Sequence, residues 1–365
     1  MPFFEFHNIK ISAMAAAVPT GIVKSDSYKE LFGEESVDKF IAMTGVKEHR
    51  KTLEHQTASD LGYVAADKIL REKNVDKSEI SALIFGAHSL DYRRPATACV
   101  LHKRLGLSKE CAAYDISLGC SAFVYCVETA MAMMSCSDIT KALVIVGETM
   151  TKMVHPEDKS SIMLFGDGGA AVLLEKTAED HVINGLLRSD GNGYKAIIAP
   201  AGGFRNMNAV EHPLLWEDGN KRTLYNTNMN GTDVFSFTIS DVPRAVKDFW
   251  KKTGTVSEDY DCYAMHQANQ YIHKQLSKKL KVPMEKMPLC LDRYGNTSAP
   301  AIPLTLCDAY GKEKEENTIK VLMCGFGVGL SWGVLAASIN TADIYPVIET
   351  DDYFKEGIIN SPEDM

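Results

Sequence analysis

The chain has 365 residues, 45% hydrophobic and 24% charged, a globular balance at a length beyond one typical core. A net charge of −9 argues against a general nucleic-acid binder. Nine cysteines without a CxxC pair fit reduced thiols better than a disulfide framework or a zinc site. No apolar run is long enough to span a membrane, and Glu5, His7 and Lys10 interrupt any signal-like stretch before Ala15-Ala16-Ala17. A cytoplasmic protein without metal or cofactor is the expectation.

In chain order, residues 9–18 read as a strand ending at Pro19-Thr20-Gly21. Helical spacing covers 25–44 and stops at Gly45. A second helix over 57–73 has Ala58, Leu61, Ala65, Ala66, Ile69 and Leu70 on its buried stripe. Residues 80–86 and 141–147 are apolar enough for buried strands, 95–105 is helical, and 164–175 is a glycine turn entering another strand. Polar residues 176–180 mark a boundary. Beyond it, 191–230 is rich in Gly, Asn and Pro and reads as flap-like surface connections. Helices over 240–252, 270–280 and 301–310 then alternate with strands at 263–265 and 319–324. This alternation predicts a layered α/β fold. Phe165-Gly166-Asp167-Gly168 echoes Phe326-Gly327-Val328-Gly329, each leading into an apolar strand, which suggests two homologous halves. Residues 338–365 are acidic, and Tyr345, Tyr353 and Phe354 favour their partial ordering.

Cys120 falls between the β-compatible stretch 111–116 and a helix with Ala122, Phe123, Cys126, Val127 and Ala130 on its apolar face. With Gly119 before it and Ser121 as a candidate N-cap, the thiol sits at a helix N-terminus, where free N–H groups favour a thiolate. On that stretch alone an inert core thiol fits equally well. His266 lies between a strand and a helix, and Asn296 in a glycine-containing turn; each alone also fits a structural role. The order Cys, His, Asn is shared with papain-like proteases, and the Cys–His spacing falls in their range of roughly 130–150 residues. The mid-chain nucleophile, the missing signature around it and the lack of a secretion signal argue against a protease.

Together, Gly119-Cys120-Ser121, Phe165-Gly166-Asp167-Gly168, His266-Gln267-Ala268-Asn269, Gly295-Asn296-Thr297-Ser298-Ala299 and the glycine-rich run over 325–333 resemble the β-ketoacyl-acyl-carrier-protein synthase III family of the thiolase superfamily. The resemblance runs in order over residues 9–339. It implies a thiolase-like α/β fold of two homologous layered halves (αβαβα). Residues 1–177 would carry the nucleophile, 178–340 the His and Asn, and 341–365 would form an acidic tail. It also implies a decarboxylating Claisen condensation in fatty-acid or specialised lipid synthesis. Cys120 would hold the acyl group, and His266 and Asn296 would stabilise an enolate. The main-chain N–H groups of Cys120 and Val328 would form an oxyanion hole. Asn269, Gly231 and Arg94 would contact substrate or pantetheine, and Lys278 and Lys279 would dock an acyl carrier protein. The implied partners are an acyl thioester donor, the carrier protein and a second copy in a homodimer, with neither nucleic acid nor membrane.

The chain departs from the family pattern at three places. Acyl-CoA-primed members carry a Trp and an Arg where Lys39 and Met43 stand, so no CoA clamp is evident and a carrier-protein-bound or other acyl donor stands beside CoA. Arg93-Arg94-Pro95 replaces an apolar residue that reaches the partner's acyl pocket. Either the acyl group ends in a polar or carboxylated group, or these arginines turn outward. Tyr271 replaces an arginine of the docking patch formed by Lys274, Lys278, Lys279 and Lys281. A non-decarboxylating acyltransferase and a non-catalytic partner subunit are the alternative functions on the same fold.

Overall fold

Residues 2–313 and 315–365 are described by the structure, a computed structural model. Two large sheets dominate it. The six-stranded sheet is ordered Ile348–Thr350, Ile9–Pro19, Asp167–Lys176, Lys141–Thr149, Ile80–Gly86, Ala112–Ile116. The five-stranded sheet is ordered Phe3–His7, Val182–Ser189, Ser331–Asn340, Thr318–Gly327, Cys262–Met265. From Ile9–Pro19 the neighbours run antiparallel, antiparallel, parallel, and the second sheet repeats this from Val182–Ser189. The repetition is the physical content of the two-halves expectation.

Helices Ala122–Ser135 and Ala301–Tyr310 each pack against strands of both sheets and form the central layer. A helix covered on both sides must be apolar nearly all round, which explains why Ala122, Phe123, Val124, Cys126 and Val127 are all buried. Helix Ala58–Glu72 covers the outer face of the six-stranded sheet, and helix Gly231–Thr253 covers that of the other with Gln270–Leu280 packed beside it. The result is the five-layered α/β architecture. Among the described residues no helix is long and apolar enough to cross a membrane.

Several predicted boundaries move, each for a local reason. The helix expected over 25–44 breaks at Gly33, whose φ of 83° leaves the helical region, and resumes as Glu34–Thr44. The helix expected from 240 begins at Gly231, because the Asn230 side chain accepts from the N–H groups of Thr232 and Asp233. The strand Val182–Ser189 was not read from the sequence. The Phe-Gly motifs are not superimposable turns: Phe326 and Gly327 end one strand, whereas Phe165 and Gly166 precede the next.

Both chain ends cross between halves. Phe3–His7 joins the five-stranded sheet beside Val182–Ser189, and Ile348–Thr350 lies parallel to Ile9–Pro19 in the other. The tail beyond residue 345 is tied down by polar contacts. Gln56 Nε2 donates to the carbonyls of Thr350 and Asp352, and the Phe354 N–H donates to Asp60 Oδ1 at 2.8 Å.

Candidate active site

A cavity of about 1030 Å³ enters between the halves, walled mainly by apolar side chains such as Met150, Leu164, Phe165 and Phe326. Cys120, His266, Asn296 and Ser298 all line it. Sequence positions far apart are thus brought to one place.

Cys120 occupies the turn from strand Ala112–Ile116 into helix Ala122–Ser135. Its sulfur is 3.5 Å from Ser298 Oγ, and the main-chain N–H groups of Val328 and Cys120 itself also reach it. Strand Thr318–Gly327 closes over the thiol so tightly that a Cβ on Gly327 would lie 2.6 Å from Cys120 Cβ and 2.9 Å from Sγ. The predicted N-cap at Ser121 is corrected: its hydroxyl pairs with Ser331 Oγ at 2.7 Å instead of capping the helix. The expected thiolate is also corrected. Burial pushes the Cys120 thiol above its ordinary range, outweighing the hydrogen bonds that favour the charge, and the nearby Glu148 carboxylate adds to the rise.

His266 follows strand Cys262–Met265, and its N–H donates to the Cys324 carbonyl at 2.8 Å. The ring stands edge-on to Phe326, 5.3 Å between centroids. Burial, aided by the neighbouring His273, lowers its pKa to about 3, so the imidazole is neutral near pH 7. His273 is held by Gln267 Nε2 at 3.3 Å and the Asn269 carbonyl at 3.1 Å.

Asn296 is positioned by the opposite half. Its N–H donates to the Leu164 carbonyl at 2.9 Å, and its own carbonyl accepts from Gly166 N–H at 3.1 Å. Only a glycine fits at 166, where a Cβ would come 2.1 Å from the Tyr294 carbonyl oxygen. The Asn296 Oδ1 accepts from Ser298 N–H at 3.0 Å, which leaves the amide NH₂ as the donor for a ligand. The floor therefore combines a buried thiol with neutral hydrogen-bond donors in an apolar wall.

Two family models match, 3-oxoacyl-[acyl-carrier-protein] synthase III over residues 114–191 and its C-terminal part over 250–339. The β-ketoacyl-[acyl-carrier-protein] synthase III of Streptococcus gordonii is 33% identical over 90% of this chain and 99% of its own length. The chain belongs to the 3-oxoacyl-[acyl-carrier-protein] synthase III family. The synthase III of Clostridium beijerinckii is 34% identical over 89% of this chain and 97% of its own. A 3-oxoacyl-(acyl-carrier protein) synthase from Burkholderia xenovorans LB400 superposes with a TM-score of 0.89 at 32% identity, covering 96% of this chain and 99% of that one.

Within this synthase III fold, Asn269, Gly231, Lys39, Met43 and Tyr271 line the same cavity as the floor residues. Asn269 has a structural task as well: its Oδ1 accepts from Ile272 N–H at 2.8 Å and caps the following helix. Arg94 is exposed and does not line the cavity of its own chain; Arg93 donates to the Gly202 carbonyl at 3.1 Å. Lys278 and Lys279 are exposed on helix Gln270–Leu280. Ser298 and His88 were not singled out from sequence. Ser298 lies within the quoted Gly295–Ala299 motif and His88 in no motif, and only the fold brings Ser298 to Cys120 and His88 to Gly119.

Proposed function

We propose that this protein is a β-ketoacyl-acyl-carrier-protein synthase III that extends a Cys120-bound acyl group by decarboxylative condensation with a malonyl-carrier protein. The Cys120 sulfur attacks the donor thioester; the acyl–sulfur bond to the donor breaks, and the donor thiol leaves with the cysteine's proton. Malonyl thioester then loses CO₂, leaving its electron pair as an enolate. The enolate carbon attacks the Cys120-bound carbonyl, and collapse releases the cysteine and a β-ketoacyl thioester. Neutral His266 and the Asn296 amide suit the enolate oxygen, because donors held in a site with little water need no reorganisation as charge develops. The N–H groups of Cys120 and Val328 suit the oxygen of the acyl carbonyl.

The observation that carries this reading is the convergence of Cys120, His266 and Asn296 on one apolar cavity, with the histidine neutral. The presence of both His266 and Asn296 counts against a plain acyltransferase, since the pair suits the decarboxylating half-reaction. At the cavity mouth Lys39 pairs with Glu35 at 2.6 Å and Met43 is exposed, so neither position supplies an aromatic ring for an adenine, which favours a carrier-protein donor. Lys274, Lys278, Lys279 and Lys281 present a cationic helix end to an acidic carrier. The half-exposed edge strand Ala112–Ile116 offers a seam for a second copy. Intact-protein mass spectrometry with an acyl-CoA and acyl-carrier panel tests the first step: wild type gains the acyl mass, and Cys120→Ala does not. An equal adduct on both proteins refutes the assignment.

A further inference from the structure

The cavity floor holds one more imidazole, which the condensation does not use. His88 lines the cavity. Its Nδ1 and Cε1 lie 3.0 and 3.2 Å from the point where a side chain on Gly119 would begin, and Ser298 Oγ lies 3.2 Å from that same point. The ring therefore stands against the residue preceding the nucleophile, next to the hydroxyl that touches Cys120 Sγ.

The loop beneath His88 is fixed by hydrogen bonds that do not involve its ring. The fully buried Glu148 carboxylate accepts from the N–H groups of His88 at 2.8 Å and Ser89 at 3.1 Å, and from the Ser89 hydroxyl at 2.6 Å. Among the described residues the ring nitrogens make no hydrogen bond or ion pair. A few polar groups in a mainly apolar pocket are what give such pockets their selectivity. A purely alkyl ligand would strip water from the imidazole and return nothing, whereas an oxygen on the ligand restores the lost hydrogen bond.

We propose that His88 selects the acyl group, and that the preferred acyl chain carries a hydroxyl or oxo group within a few carbons of the thioester. The inference rests on Cys120 being the acyl-accepting nucleophile. It assigns His88 to the acyl chain because His266 and Asn296 already serve the malonyl thioester. His88 instead comes from the first-half loop after strand Ile80–Gly86, beside the backbone that carries the loaded sulfur.

The test compares rates of Cys120 adduct formation from the N-acetylcysteamine thioesters of 3-hydroxybutyrate and butyrate. Wild type is expected to react faster with the hydroxylated thioester. His88→Leu is expected to lower the ratio of the two rates by about tenfold or more, the scale of one unmade buried hydrogen bond. His88→Gln, which keeps a donor and an acceptor, should retain most of the preference and controls for disruption of the loop. The same ratio in wild type and His88→Leu, or a wild-type preference for butyryl, overturns the assignment of His88 alone. No adduct from either thioester overturns the nucleophile and this inference with it.

Discussion

At the residue scale, burial governs both chemical groups, in opposite senses. His266, with a pKa lowered to about 3, stays neutral across the working range. Malonyl decarboxylation by the acyl-enzyme should therefore show no histidine step between pH 5 and 8; a sigmoid centred in that interval would place a different group on the enolate. His266→Ala or Asn296→Ala should each slow CO₂ release by roughly 10²–10³, the scale of one lost preorganised donor, while the Cys120 adduct still forms. The thiol behaves the other way. Since burial raises its pKa, the thiolate fraction at neutral pH is below that of a free cysteine, and iodoacetamide labelling of Cys120 should still climb with pH beyond about 8.5. A plateau below neutral pH would mean that the helix N-terminus dominates after all. Cys120, His266 and Asn296, the residues proposed to react, were legible because each sits in a short motif whose types match the proposed chemistry. Ser298 and His88 were not, since their significance is a distance across the fold.

At the scale of elements, the site depends on close backbone crossings between the halves. Gly166 passes under the Tyr294 carbonyl and thereby seats Asn296; Gly327 passes over Cys120. Gly166→Ala should lower stability by roughly 1–3 kcal/mol, the usual cost of overpacking, and urea unfolding will measure it. Gly327→Ala should block the adduct, because the new methyl meets the sulfur itself. An unchanged urea midpoint for the first, or full loading of the second, would show that the strands yield more than their packing suggests. The sequence displayed the helices and buried strands through periodicity and apolar runs. It concealed the break at Gly33, since the apolar spacing continues on both sides. It also concealed Val182–Ser189, a strand that follows directly on a polar boundary.

At the scale of the whole molecule, the repeated strand order places one helix of each half in the central layer and opens the cavity where the halves meet. The crossed chain ends were invisible beforehand, because short terminal segments carry no sign of which sheet they will extend. One global property follows from three buried histidines, His49 and His273 with pKa values lowered to about 4 and His266 to about 3. Between those values and the ordinary 6.5, the unfolded chain binds protons that the folded one refuses. Stability is thus fully present above pH 6.5 and falls as the pH drops. Each histidine contributes a slope approaching about 1.4 kcal/mol per pH unit once the pH is well below 6.5. Thermal unfolding from pH 7 to 5 should show Tm dropping before most carboxylates titrate. A flat Tm over that interval would mean that these imidazoles become protonated without unfolding.

The most direct test of the condensation is a single turnover: wild-type protein with its Cys120 acyl adduct is mixed with malonyl-carrier protein, and both proteins are followed by mass spectrometry with CO₂ trapped. The expected result is loss of the adduct together with one CO₂ and a carrier protein bearing the β-ketoacyl product. An adduct that persists, or that leaves for a hydroxyl or amine without CO₂, would contradict it.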